Sequence, residues 1–289
     1  MPSLRQIRRR TRSIQNTAKI TRAMEMIAAS KMRRAQARVL AGRPYAEKMQ
    51  EVLAHLAAQP RPGEEEVHPL LQVREVKRIE VLHITPDRGL CGGLPSSLNR
   101  RSSQFILERQ DGVTASVVCV GRKGRDFMVR YQQDVRAIFL NLSDRPTVAD
   151  ILSIAHLVME DYTTGFADQV YLTYAQFVST MVQRPVTVRL LPIEPAPLTT
   201  ELQVGYIYEP QSFTVMAALL PRFVEMQIYH VLLEAIASEQ SARMVAMRNA
   251  TDNAKDMVDQ LTLLMNKVRQ DTITKELLDI VGGVAALER

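Results

Sequence analysis

A chain of 289 residues, 46% hydrophobic and 24% charged, is long enough for one large or two ordinary domains with a real core. Its longest apolar runs, such as residues 213–220, are far too short to cross a bilayer, so no transmembrane segment is expected. The net charge of +6 is unevenly placed: residues 1–48 hold 13 Lys or Arg against Glu25 and Glu47, a local +11 that leaves −5 for the remainder. Such an excess calls for an anionic partner, either a nucleic acid or an acidic protein surface.

Arg5, Arg8, Arg9, Arg10 and Arg12 open the chain with no apolar stretch behind them, which argues against a secretory signal. They run without a break into a helical segment, which argues against a transit peptide. The two cysteines, Cys91 and Cys119, form no CxxC or Cys/His cluster, so a reducing compartment is expected and a zinc or disulfide scaffold is not.

Residues 1–59 read as one helix. Leu4, Ile7, Thr11, Ile14, Ala18, Thr21, Glu25, Ala28, Met32, Ala35 and Val39 fall at alternating steps of three and four. This narrow, mostly small or apolar stripe suits packing against a single helix better than burial against a sheet. Pro44 permits a kink without ending the run. A surface linker is expected over 60–75, where "AQPRPGEEEVHP" reads as a turn.

Residues 76–195 change rhythm. β-rich runs at 79–85, 113–120, 170–177 and 186–193 alternate with helical ones at 96–109, 122–130 and 148–162, which predicts an α/β domain with a largely parallel sheet. The last two strands, joined through "STMVQRP", predict an antiparallel edge.

After a connecting segment at 196–211, residues 212–289 read as a second long helix. Between Pro221 and Gly282 there is neither Gly nor Pro. About 60 residues of helix at ~1.5 Å each would reach roughly 90 Å, several times the usual length. Leu219, Phe223, Met226, His230, Leu233, Ala237, Gln240, Met244, Met247, Thr251, Ala254, Val258, Leu261, Met265, Val268 and Thr272 repeat the steps of four and three. The two ends of the chain are therefore expected to pair as an antiparallel coiled coil with the α/β domain inserted between them.

Methionine gathers on both helices, at Met24, Met26, Met32, Met49, Met216, Met226, Met244, Met247, Met257 and Met265. Ordinary core filling accounts for most such residues, whereas Met24 in its charged neighbourhood points to a contact surface. Catalytic patterns are absent. "DRGLCGG" fits neither GxGxxG nor GxxxxGK[ST] and reads as a tight strand-to-helix turn. The five histidines lack metal spacing. No catalytic, cofactor or metal site is expected, and the chain alone should have no activity.

Several separate motifs together carry a family resemblance. "IQNTAKITRAMEMIAASKMRRAQ", "DRGLCGGL", "GYIYEP", "ASEQSARMVAMRNATDNA" and "NKVRQDTITKELLDIVGGVAAL" resemble, in content and order, the gamma subunits of F-type ATP synthases. The match covers both terminal helices; residues 100–200 agree mainly in length and alternation. Pro95 stands where the family commonly has Asn, and Leu264 and Met265 where a Thr-Tyr pair is frequent. No inserted cysteine pair of the plant thiol-regulated kind is present, so no disulfide switch is expected.

The resemblance implies a Rossmann-like α/β domain between paired terminal helices. It also implies a rotor shaft inside a hexamer of alpha and beta subunits, with an epsilon subunit and a membrane ring of c subunits as further partners. The position would be peripheral, on the cytoplasmic face of a bacterial plasma membrane. Matched residue by residue, it puts Lys19, Arg22 and Met24 near the mobile lever of a beta subunit. Arg243, Arg269 and Gln270 fall at further hexamer contacts, and Tyr206, Tyr208 and Glu209 at the foot on the membrane ring. Two other readings remain open at this stage: a basic coiled-coil protein binding nucleic acid through residues 5–12, and an α/β enzyme with helical dimerisation arms, which lacks a site.

Overall fold

A computed structural model describes residues 3–58, 68–109, 112–194, 209 and 212–287. Two long helices bracket the chain: α1 (Leu4–Ala58) and α5 (Ser212–Leu287). Between them lie β1 (Arg78–Ile84), α2 (Leu94–Leu107), β2 (Thr114–Val120), α3 (Arg122–Arg130), β3 (Asp134–Phe139), α4 (Val148–Thr163), β4 (Gln169–Phe177) and β5 (Gln183–Leu191), with one short 3-10 turn at Pro69–Leu71. Two compact units result: residues 1–28 with 244–289, and residues 29–243.

The first unit is a helix pair. Thr21 Oγ1 and Thr251 Oγ1 meet at 2.7 Å, and Arg248 donates to Glu25 at 3.0 Å. Numbers rise on one helix as they fall on the other, so the pair is antiparallel. In the register set by Thr21 and Thr251, Leu4, Ile7, Thr11, Ile14 and Ala18 fall opposite Val268, Met265, Leu261, Val258 and Ala254, and all ten are buried or half-buried. The three-four stripe is thus the seam. The register reaches Leu4 at Val268, and beyond it α5 is uncovered by any described residue: Ile273, Leu277, Leu278, Ile280 and Val281 are 45–65% exposed.

The second unit is built on a five-stranded sheet in the order β3-β2-β1-β4-β5. β1 to β4 run parallel, and β5 closes the edge antiparallel to β4, as the short connection between them requires. β1 (RIEVLHI) and β2 (TASVVCV) are buried on both faces, which is why they read as nearly continuous apolar runs. α2 and α3 cover the face carrying Ile79, Val81, Val117 and Cys119. α4 lies on the other face against Leu82, Ile84, Val118 and Val120, together with Met49 to Leu56 of α1 and Leu220 to Ile236 of α5.

One feature departs from the sequence expectations. β3 was not expected; its side chains alternate exposed and half-buried, and Asp134 and Arg136 in the outward positions mask the strand signal of an edge. α5 runs through Pro221 and α1 through Pro44. The β2–α3 turn depends on Gly121 at φ +100°, where a Cβ would lie 1.9 Å from the Thr85 carbonyl oxygen.

Candidate functional site

The outward face of α1 carries the charge. Arg5, Arg8, Arg9, Arg10, Arg12, Lys19 and Arg22 are all exposed. Among the described residues, Lys19 and the five arginines before it form no ion pair. Arg22 is different: its Nη1 lies 2.8 Å from Glu25, whose side chain is 7% exposed and is also held by Arg248. A carboxylate on the seam is costly unless paired, and two guanidiniums supply that pairing. Arg22 is thereby oriented along α1 while remaining 59% exposed in its side chain.

Met24 is half-buried beside this group. Of the ten methionines singled out from the sequence, only Met26 and Met257 are exposed; the remainder pack, Met32, Met49, Met216 and Met247 fully. Most of the methionine surplus therefore fills helix contacts.

Arg269 and Gln270 are exposed on α5. In the antiparallel register they lie opposite the start of α1, about 24 Å along the helix from the level of Lys19 at ~1.5 Å per residue. One unit thus holds these two groups of expected contact residues, at separate levels. Arg243 points elsewhere. Its side chain is 12% exposed and donates both to Glu239 at 2.6 Å and to the Gly89 carbonyl at 3.3 Å. Tyr206 and Tyr208 lie outside the described residues, and Glu209 is exposed.

The "DRGLCGG" segment follows β1 and leads into α2. The first three N–H groups of α3, across from this loop, are used within the chain: Arg122 N–H by Asp87 at 2.9 Å, Lys123 N–H by the Pro86 carbonyl and Gly124 N–H by Thr85 Oγ1. Asp87 also accepts the Asn141 N–H at 2.9 Å, so one carboxylate ties together the loops that follow β1, β2 and β3. Cys91 and Cys119 are buried and free. Burial raises both thiols, Cys119 to about 12, so neither is a thiolate at neutral pH.

Sequence reasoning missed two interior polar clusters. His83 is wholly buried, with Asn99 at 2.9 Å on Nε2 and Ser102 at 2.8 Å on Nδ1. Burial lowers it to about 4, so it stays neutral and joins β1 to α2. Glu80, also wholly buried, lies near Asp161, which Arg136 holds through two hydrogen bonds of 2.9 and 3.0 Å. His83, Glu80 and Asp161 are buried, and of the two clusters only Arg136 reaches the surface, its side chain 42% exposed. Among the described residues no cluster of His, Cys, Asp or Glu has metal-binding geometry, and no helix is long and apolar enough to cross a membrane.

These observations define a class: an interaction subunit in which paired terminal helices present a cationic surface and carry an inserted α/β domain. Comparison with known proteins agrees. A family profile described as "ATP synthase" matches residues 3–287. An ATP synthase gamma chain of Dehalococcoides mccartyi is 60% identical over 287 residues, covering 99% of this chain and all of that one. The gamma chain of Roseiflexus castenholzii is 53% identical over 292 residues, covering 99% of both chains. Among solved structures, a chain of the Tetrahymena thermophila mitochondrial ATP synthase central stalk and c-ring matches with TM-score 0.60 and 26% identity, over 80% of this chain and 99% of that one. A chain from the Euglena gracilis mitochondrial enzyme shares the fold with TM-score 0.65 over 98% and 94%. The chain belongs to the gamma-chain family of ATP synthase, whose members are non-catalytic subunits. Nothing in these relationships supports the nucleic-acid reading.

Proposed function

We propose that this chain is the turning shaft of a rotary ATP synthase, with the paired helices inside a hexamer of alpha and beta subunits and the foot on a membrane ring of c subunits, accompanied by an epsilon subunit. The observation that carries this reading is the row of exposed cations on α1 backed by a buried seam. A shaft that meets several similar sites in turn needs contacts that exchange at small cost. Exposed Lys or Arg pairs, worth about 0–1 kcal/mol each, meet that need where deep apolar anchoring would not. Moving a site from 1:99 to 99:1 takes about 5.5 kcal/mol of differential interaction, within reach of several such pairs acting together.

Lys19, Arg22 and Met24 face the mobile lever of a beta subunit, and Arg269 and Gln270 form a second level of hexamer contact. Arg243 is the member of this set whose guanidinium is already engaged within the chain. Tyr206, Tyr208 and Glu209 meet polar loops of the ring. Residues 60–75 and 196–211 are the connections between helices and inserted domain. The setting is the cytoplasmic face of a bacterial plasma membrane.

The test is charge reversal in the assembled complex. Lys19→Glu with Arg22→Glu should lower coupled ATP synthesis about tenfold, the effect of roughly 1–2 kcal/mol lost across two pairs. Unchanged coupled synthesis would remove these residues from the mechanism.

A further inference from the structure

The sheet order places a reversal between β1 and β4: from β1 the chain winds outward through β2 and β3, then returns to lay β4 on the other side. In doubly wound sheets the crevice at such a reversal, beyond the carboxyl ends of the strands, is where ligands bind. Here one stretch of α5, residues 234–243, fills it.

The contacts come from both sides of the reversal. From the β4 side, Glu234 accepts the Phe177 N–H at 3.1 Å, Ser238 donates to the Ala175 carbonyl at 2.8 Å, and Ser241 donates to the Thr180 carbonyl at 2.8 Å while accepting from Gln183. From the β1 side, Arg243 donates to the Gly89 carbonyl within "DRGLCGG". Ala242 closes the floor against Cys91, Leu94, Leu98 and Ala175. Gln240 reaches Asp144, in the loop after β3, at 3.5 Å. Small residues at 238, 241 and 242 let the helix backbone approach the strand ends, and the polar groups it meets include the backbone carbonyls of Ala175 in β4, Thr180 in the β4–β5 connection and Gly89 in the loop after β1.

We propose that this crevice, emptied of any ligand role, is the grip by which the α/β domain turns the long helix, with Ser238, Ser241 and Arg243 as positioning residues. Hydrogen bonds to backbone carbonyls on both sides of the reversal, added to the packing of Leu220 to Ile236 on the sheet face, resist twisting of the helix against the sheet. The inference rests on the shaft reading above and adds the place where torque enters the helix.

The experiment uses the full chain assembled in its ATP synthase. Arg243→Gln should speed amide exchange of residues 88–91 at least tenfold and lower the protons pumped per ATP hydrolysed. Arg243→Lys, which keeps the positive charge and the reach to Gly89 that Gln lacks, should recover part of both. If Arg243→Gln lowers coupling with exchange at 88–91 unchanged, Arg243 acts outside the chain and the grip is overturned; so too if neither changes. Thr180→Cys with Ser241→Cys serves as an independent variant: oxidised, it should retain coupled synthesis within about twofold, because a grip stays closed through the cycle. Loss on oxidation that reduction restores would show that the domain must part from the helix, and would overturn the inference. Failure of the unaltered chain to assemble with ATP-binding subunits would instead overturn the shaft reading itself.

Discussion

At the scale of single residues, the interior acid Glu80 has the clearest consequence. Burial, and then the negative charge of Asp161, push it from an ordinary 4.5 to about 8, with Arg136 pulling the other way. The folded chain therefore holds a proton on Glu80 up to about pH 8 that the unfolded chain releases near 4.5. Folding takes up a proton between those values, so the contribution of this residue to stability falls as pH rises through that window and levels off above it. Glu80→Gln should abolish that slope. Urea unfolding of the variant and its parent should differ little at pH 5 and by roughly 1–3 kcal/mol in favour of the variant at pH 8; a constant difference across the range would mean that Glu80 does not carry the proton. Nothing in "RIEVLHI" marks Glu80 as buried, because a lone charge in a strand reads as an outward position. Its surroundings come from Asp161 and Arg136, more than fifty residues further along the chain.

At the scale of elements, the seam of the helix pair was almost fully legible. Its steps of three and four are a property of one helix and need no knowledge of the partner. What the sequence hid was how the seam tolerates its polar members. Thr21 and Thr251 meet each other, yet each hydroxyl also has a carbonyl of its own helix in reach, Ala18 at 3.1 Å and Met247 at 2.8 Å. Replacing either Thr by Val should cost about 0.5–1 kcal/mol, because the other loses a partner. The double replacement should cost less than the sum, with a coupling of at least ~0.5 kcal/mol read from amide exchange of residues 14–25 and 247–258. Strict additivity would show that the two hydroxyls act separately. β3 illustrates the opposite limit: an edge strand of six residues with charges at alternate positions carries a signal that only its pairing with β2 reveals.

At the scale of the whole molecule, the bracketed order of helix, α/β domain and helix was readable because the hydrophobic period changes from 3.5 to 2 and back along the chain. The candidate site was readable only in part. The cationic face of α1 follows from composition alone, since only Glu25 and Glu47 stand against 13 Lys or Arg in residues 1–48. The inward turn of Arg243 does not, because its acceptor lies 154 positions away. Residue type declared a cation; only the fold decided whether it faces a partner or a carbonyl.

The uncovered stretch at 273–281 has a consequence for handling the protein by itself. Five large aliphatic side chains on a stretch that no described residue covers form an adhesive surface wherever no other molecule shields them. Sedimentation of the isolated chain should show concentration-dependent self-association, and a version ending at Thr272 should remain a single species at the same concentrations. Making the chain in excess of whatever receives its tip should therefore favour clumping of the surplus.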